Sequence, residues 1–341
     1  MARKSIYNKI TSVENWNQVS IENKNLLKEF IEYSRSTDKS EETITNYESD
    51  LNIFFTWCFL ENSNKFFIDI TKRDIIKFQN YLLNVQKLGS SRIRRLRSTL
   101  SSLSNYIENI LDDDYPIFRN IVNKIPAPAK NEVRNKTVLT DEQIEYLLNY
   151  LVEKQEYQKA CVFALAVMSG ARKSELLRFK ISFFTEKNII YGSLYKTPEK
   201  IKTKGRGRAG KPLNKYILVK FKYYLDLWLK ERERLNIDGE YLFYTLGNEG
   251  YEITKVSSLN SWAKSFSKIL GVDFYWHADR HYLNTFLLKA GIPADVIKEL
   301  FGWESVEMVS RYDDTEADEK FGKYFDANGI KSVENKSLKD L

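Results

Sequence analysis

"HADRHYLNTF", residues 277–286, contains both histidines of a 341-residue chain, with an arginine between them. His277 and His281 are four apart, so on a helix they share a face. His277 and Arg280 are three apart and share one as well. The first spacing suits a metal pair. The second suits an oxyanion, because an imidazole and a guanidinium together make a cradle for a phosphodiester oxygen. The rest of the chain decides between them.

The metal reading lacks support elsewhere. The H-E-x-x-H metalloprotease motif needs Glu after its first His, and this chain has Ala278 there. Arg280 would point a cation at the metal, and no Cys/His cluster supplies further ligands. No metal or other cofactor is expected. A serine hydrolase would need a nucleophile motif such as G-x-S-x-G, which is absent. The acidic runs "DDD" at 112–114 and "YDD" at 312–314 are too local for a two-metal nuclease.

Charge favours a polyanionic partner. Lys and Arg number 53 against 46 Asp and Glu, giving a net charge of +7 and a pI near 9.0. The two cysteines, Cys58 and Cys161, sit in apolar runs and read as buried, reduced thiols. No secretory signal follows the N-terminus, and no segment approaches the ~20 apolar residues of a membrane span. A cytosolic or nucleoid-associated protein is expected, with no membrane partner.

The length suggests two domains. Residues 1–22 are polar, show no sustained period and read as a loose arm. Residues 23–111 read as a helical domain. Within it, Ile44, Tyr47, Leu51, Phe54, Phe55 and Cys58 fall on one helix face after Ser40 as N-cap, and Thr71 with Asp74 resembles a capping box. The helix "SSRIRRLRSTLSSLSNYIENIL" carries a stripe of Ile93, Leu96, Leu100, Leu103, Ile107 and Ile110, with Arg94, Arg97, Ser101 and Ser104 on another face. Arg92, Arg94, Arg95 and Arg97 in that helix read either as phosphate contacts or as a solvated charged face. Residues 112–136, with "PAPAK", read as an extended linker. A second domain, 137–325, opens at a Thr140–Gln143 capping box. It has strand-like segments "NIIYGSLYK" and "KPLNKYI" around a basic turn and then returns to helix. Residues 326–341 read as a polar tail. The fold class is therefore mainly α with a small antiparallel β-sheet, in two domains.

Two further stretches suit a phosphate. "MSGARKSELLRF" places Arg172 directly after a Ser-Gly-Ala turn, with Glu175 three residues on to orient a neighbour. "YKTPEKIKTKGRGRAGKPLNK" carries Lys or Arg at 196, 200, 202, 204, 206, 208, 211 and 215 against the single acid Glu199. A lysine there could protonate a leaving oxygen.

Together, "SGARKSELLRF", "TKGRGRAGKPL" and "HADRHYLNTFLLKAGIPADVIKELFGWESVEMVSRY" resemble the signature regions of tyrosine recombinases, the phage-integrase and Xer-like family. The shared pattern is Arg, a hairpin Lys, His-x-x-Arg, a Gly-His or Gly-Trp pair, then Tyr. Arg280 precedes Trp303 by 23 residues and Trp303 precedes Tyr312 by nine, as in the family. The resemblance covers 23–325 and is strongest over 165–315. It implies a SAM-like core-binding domain followed by a catalytic domain.

The resemblance also implies chemistry. Tyr312 would attack a DNA phosphate and form a 3′-phosphotyrosine. Arg172 and Arg280 would hold the non-bridging oxygens, and His277 would donate a hydrogen bond or accept a proton. Lys204 would be the general acid, with Lys202 and Lys211 as rivals. Trp303 would position the phosphate, since an indole N–H donates but accepts no proton. Glu175 would brace the site and His281 would support it. Lys202, Arg206, Arg208 and Lys211 join the α-helical arginines as expected DNA contacts. Double-stranded DNA is the implied partner, with self-assembly to a dimer or tetramer and a possible accessory directionality protein. The segment "EADEKFGKYF" after Tyr312 could pack on a neighbouring protomer. The alternative is a transcriptional regulator that keeps this fold without recombining DNA. One departure stands out: "ADR" replaces the family's more usual x-L-R, so Asp279 is an acid beside a phosphate-binding arginine.

Overall fold

The computed structural model describes residues 6–129, 137–203, 205, 207, 209–315 and 321–322, with the backbone of 325–326 and 329–330. Lys204, Arg206 and Arg208, residues 331–341 of the expected tail and most of "EADEKFGKYF" lie outside the described residues. The chain divides near residue 135 into two units.

The first unit is helical: α1 (Ile6–Ile10), α2 (Val13–Gln18), α3 (Ile21–Ser36), α4 (Glu41–Glu61), α5 (Lys72–Asn80) and α6 (Ser90–Ile110). The caps read from sequence are present. Ser40 Oγ accepts from Thr43 N, and Thr71 and Asp74 form a reciprocal capping box. Helix α4 is the centre of the core. Beyond the expected face, Ile53 and Trp57 are also buried, so its C-terminal half is covered on nearly every side. Helices α1, α2, α3 and α6 all pack on it.

Three expectations need correction in this unit. Residues 6–22 are not a loose arm. Ile6, Ile10 and Val19 are buried in the α4 core, and the Asn64 side chain accepts from Ser20 N and donates to Gln18 O. These helices are too short to show a period, so three apolar anchors were the only signal. The first half of the expected linker is also core: Phe118, Val122 and Ile125 are buried against the same helices. Finally, the basic face of α6 is largely engaged within the unit. Arg92 and Arg95 both reach the buried carboxylate of Asp50, at 2.7 and 2.8 Å. Arg94 Nε donates to Pro128 O at 2.9 Å. Arg97 is buried and donates to the carbonyls of Val122 and Ile125 and to Gln79 Oε1. Arg97 thus acts as a clamp within the unit, with its guanidinium taken up by Gln79 and the 122–125 carbonyls. Ser104 is likewise buried, donating to Leu100 O, while Ile110 at the helix end is half exposed.

The second unit holds α7 (Asp141–Glu153), α8 (Tyr157–Ser169), α9 (Lys173–Leu176), α10 (Lys222–Arg234), α11 (Val256–Leu270), α12 (Ala278–Lys289), α13 (Ala294–Phe301) and α14 (Glu307–Arg311). The Thr140–Gln143 capping box opens α7 as expected. Helix α8 is the core helix, buried from Ala160 to Val167 and packed against α7, α10 and α12. The strands are short and antiparallel. β1 (Ile189–Ile190) and β2 (Leu194–Lys196) join β5 (Tyr216–Leu218) in one sheet, and β3 (Ile201–Thr203) pairs with β4 (Lys211–Leu213) in another. "KPLNKYI" is therefore split between two sheets rather than forming one strand. The split falls at Asn214–Lys215, where Asn214 Nδ2 donates to Thr197 O and Lys215 N to Thr197 Oγ1. A hairpin of β6 (Tyr244–Gly247) and β7 (Gly250–Ile253) interrupts the stretch expected to be all helix. At the C-terminal end β8 (Phe325–Asp326) pairs with β9 (Gly329–Ile330), at the start of the expected tail. Cys58 and Cys161 are both buried free thiols, one in each core, and burial pushes both pKa values up.

Asp279 is fully buried in α12, and neither of its oxygens has a hydrogen-bond partner. Burial pushes its carboxyl well above the ordinary aspartate value. The native state therefore keeps the proton while the unfolded chain ionises from about pH 4, so this residue destabilises the fold more as pH rises.

Two stability outcomes follow. Arg97→Ala strands buried carbonyls and should lower the free energy of unfolding by about 2–4 kcal/mol in urea titration. Asp279→Ala should raise it by about 1 kcal/mol, with a larger gain at pH 7 than at pH 5. A gain that shrinks with pH would contradict the buried, protonated carboxyl.

Candidate active site

The C-terminal end of α8 sets the first wall of the site. The helix stops at Gly170, whose φ of +55° puts it in the left-handed region. A Cβ there would meet Phe301 Cε1 at 2.3 Å, so glycine is required by both conformation and space. The chain then turns directly into Arg172, the N-cap residue of α9. Glu175 accepts from Arg172 N at 3.0 Å through Oε2 and from Arg172 Nη1 at 2.9 Å through Oε1. Glu175 is fully buried, and Lys215 Nζ lies 2.6 Å from its Oε2. Burial alone would raise the Glu175 pKa, but Lys215 and Arg172 outweigh it and hold the carboxyl below its usual range.

Helix α12 supplies the second wall. Arg280 is 1% exposed. Its Nη1 donates to Gly170 O at 2.9 Å and its Nη2 to Phe301 O at 3.3 Å. Its guanidinium lies over the rings of Phe301 and Trp303, 4.7 and 5.0 Å from their centroids. Burial, with Arg172 adding, brings its pKa down to about 10, against the opposing pull of Glu175 and Tyr312. It remains charged at neutral pH.

A column of rings carries the third element. Phe301 stacks on Trp303 at 4.5 Å and Trp303 on Tyr312 at 4.9 Å, while the His281 ring packs 4.5 Å from Tyr312 at a tilt of 33°. His277 closes the end: its Nε2 is 2.7 Å from Tyr312 Oη. His281 Nδ1 lies 3.0 Å from Asp314 Oδ2. The backbone around Tyr312 is tied to α12 as well. Asn284 Nδ2 donates to Val309 O, Thr285 Oγ1 to Tyr312 O, and Asp314 N to Thr285 Oγ1. Within this buried assembly, Arg280 Nε and Trp303 Nε1 are donors with no acceptor among the described residues.

The structure thus brings together Arg172, Glu175, His277, Arg280, His281, Trp303 and Tyr312. The hairpin lysines are less central. Lys202 is exposed, on the opposite side of β3 from buried Ile201 and Thr203, and Lys211 is partly exposed opposite Thr203. Lys204 falls outside the described residues. Lys215, in the sequence only one of the turn's basic residues, and Asp314 are site neighbours that the sequence did not single out. The signal for Lys215 was a lysine following a Pro-Leu-Asn break, which no helical or strand period singles out.

Comparisons with known proteins agree with this architecture. Residues 137–319 match the phage integrase family, and residues 26–117 match the phage integrase N-terminal SAM-like domain. The SPbeta prophage-derived recombinase-like protein YomM of Bacillus subtilis (strain 168) is 31% identical over 306 residues, covering 87% of this chain and 84% of that protein. A tyrosine recombinase of Thermosipho africanus (strain TCF52B) is 25% identical over 293 residues, covering 83% of this chain and 92% of that protein. Among solved structures, the lambda integrase tetramer bound to a Holliday junction is similar with a TM-score of 0.62 at 20% identity, covering 92% of this chain and 82% of that one. The XerH recombinase bound to its difH substrate has a TM-score of 0.60 at 17% identity, covering 92% of this chain and 97% of that one. With both family domains matched in order and a relative 31% identical along most of both chains, this chain belongs to the phage integrase family of tyrosine recombinases.

Proposed function

We propose that the protein is a site-specific DNA recombinase of a phage or mobile element, with Tyr312 as its nucleophile. The observation that carries this reading is Tyr312 Oη within 2.7 Å of His277 Nε2, beside two buried donors, Arg280 Nε and Trp303 Nε1, that lack acceptors. A phosphate oxygen would satisfy such donors, and buried donors are otherwise rarely left unpaired.

In the proposed reaction the Tyr312 oxygen attacks phosphorus as the bond to the 5′ oxygen breaks. The phenol proton passes to His277, since free tyrosine with a pKa of about 10 is a poor nucleophile. Arg172, Arg280 and Trp303 take the charge that grows on the non-bridging oxygens. Lys204 donates a proton to the leaving 5′ oxygen. The phosphodiester energy is kept in the 3′-phosphotyrosine, so rejoining needs no nucleotide cofactor.

Solved relatives support the wider assembly. Similar chains have been solved on DNA, one as a dimer on a core site and one as a tetramer on a Holliday junction. We infer action on double-stranded DNA as a dimer or tetramer, and from that substrate a place in the nucleoid. The net charge of +7 favours that substrate. Arg92, Arg94 and Arg95 retain partial exposure and stay in the proposed DNA surface, with Lys202, Arg206, Arg208 and Lys211.

A nicked suicide duplex carrying the target site should trap the wild-type protein as a denaturation-resistant adduct, and Tyr312→Phe should form none. A protein that binds the site tightly without any adduct would be a regulator instead. Lys204→Ala should slow cleavage by about 10²-fold or more, in the range of a lost general acid. A 5′-thio leaving group, which needs little protonation, should restore that rate. Rescue of Lys202→Ala or Lys211→Ala instead would move the general acid.

A further inference from the structure

Lys215 is a charged side chain with an unusual address. It is 3% exposed, follows the break between β4 and β5, and has its backbone fixed by Thr197. Its Nζ reaches 2.6 Å from Glu175 Oε2. A lysine buried to this degree is tolerated only with a good partner. Packing alone would be served better by methionine.

The geometry around Glu175 shows what the ammonium does. Glu175 Oε2 accepts from Lys215 Nζ and Arg172 N, and Oε1 accepts from Arg172 Nη1. With Oε2 held by Lys215, the carboxylate engages the Arg172 guanidinium through one nitrogen rather than in a two-pronged grip. The Arg172 side chain stays 29% exposed, with donors left over for a substrate oxygen. The carboxylate is also neutralised where it would otherwise repel a phosphate. Three cations, Arg172, Arg280 and Lys215, then act on each other around one acid, leaving a surplus positive charge.

We propose that Lys215 is a positioning residue of the cleavage step: it fixes Glu175 so that Arg172 presents its guanidinium to the scissile phosphate. This rests on the recombinase reading above. It is distinct from the general-acid role assigned to Lys204.

The test uses the full chain and the nicked suicide duplex, reading site binding by mobility shift and the single-turnover rate of adduct formation. Lys215→Met should bind within about twofold of wild type and form adduct about 10–100-fold more slowly, as expected for a misaimed group. Lys215→Arg should recover most of the rate. The 5′-thio duplex should leave Lys215→Met slow, because the defect lies on the non-bridging oxygens. Lys215→Met combined with Glu175→Gln leaves no unpaired buried charge, so it keeps the question open to measurement if the single variant fails to fold. It should also be slow, and no slower than Lys215→Met where both fold. Wild-type rates in Lys215→Met or in the double variant would overturn the proposal, as would thio rescue of Lys215→Met. Each of those results, with Tyr312→Phe inactive, overturns this inference alone. No adduct from wild type overturns the recombinase reading as well.

Discussion

The site depends on one buried guanidinium. Arg280 has no carboxylate of its own, yet it sits charged in the interior. Its compensation comes from the backbone. Gly170 and Phe301 stand at the C-terminal ends of α8 and α13, where helix carbonyls lack intrahelical partners and the helix dipole is negative. Two helix ends and two ring faces replace a counter-ion. The same bonds fix where α8 stops, hence where Arg172 begins, and where Phe301 and Trp303 lie. If Arg280 were lost, two carbonyl ends and an aromatic pair would lose their common partner.

Much of this was legible before any coordinates. Arg172, His277, Arg280, Trp303 and Tyr312 were legible through their resemblance to the family's ordered pattern, and from 277 to 312 the chain runs through α12, α13 and α14 with short turns, so that spacing carries over directly. Caps at Ser40, Thr71 and Thr140 were readable because their bonds are local. What escaped is non-local. Arg97 looks like a surface cation until the carbonyls of Val122 and Ile125 come to meet it. Helices α1 and α2 hold only because Ile6, Ile10 and Val19 find α4. Lys215 meets Glu175 across 40 residues because Thr197 fixes the strand break, and no pattern along the chain records that.

The crowding of both histidines into five residues has a simple geometric basis. His277 lies at the first position before α12 and reaches the phenol oxygen, while the His281 ring, one turn later, packs on the tyrosine ring at a tilt of 33°. They are not equivalent. One addresses the phenol oxygen and the other the ring of the same tyrosine. Asp279 lies on another side of the helix, buried without a partner, and contributes nothing visible to that arrangement.

Tyr312 is held by rings on both faces and by backbone bonds from Asn284 and Thr285 to its own segment. If Tyr312 is the nucleophile, a tyrosine held this way would keep its place when a phosphoryl group is attached to it. The departing hydroxyl and any hydroxyl that replaces it would then meet the same phosphorus from the same direction, among the same donors. Forward and reverse steps become near mirror images with similar barriers. Which DNA end is finally sealed would be decided by which strand is presented, since the site itself has no preferred direction in time.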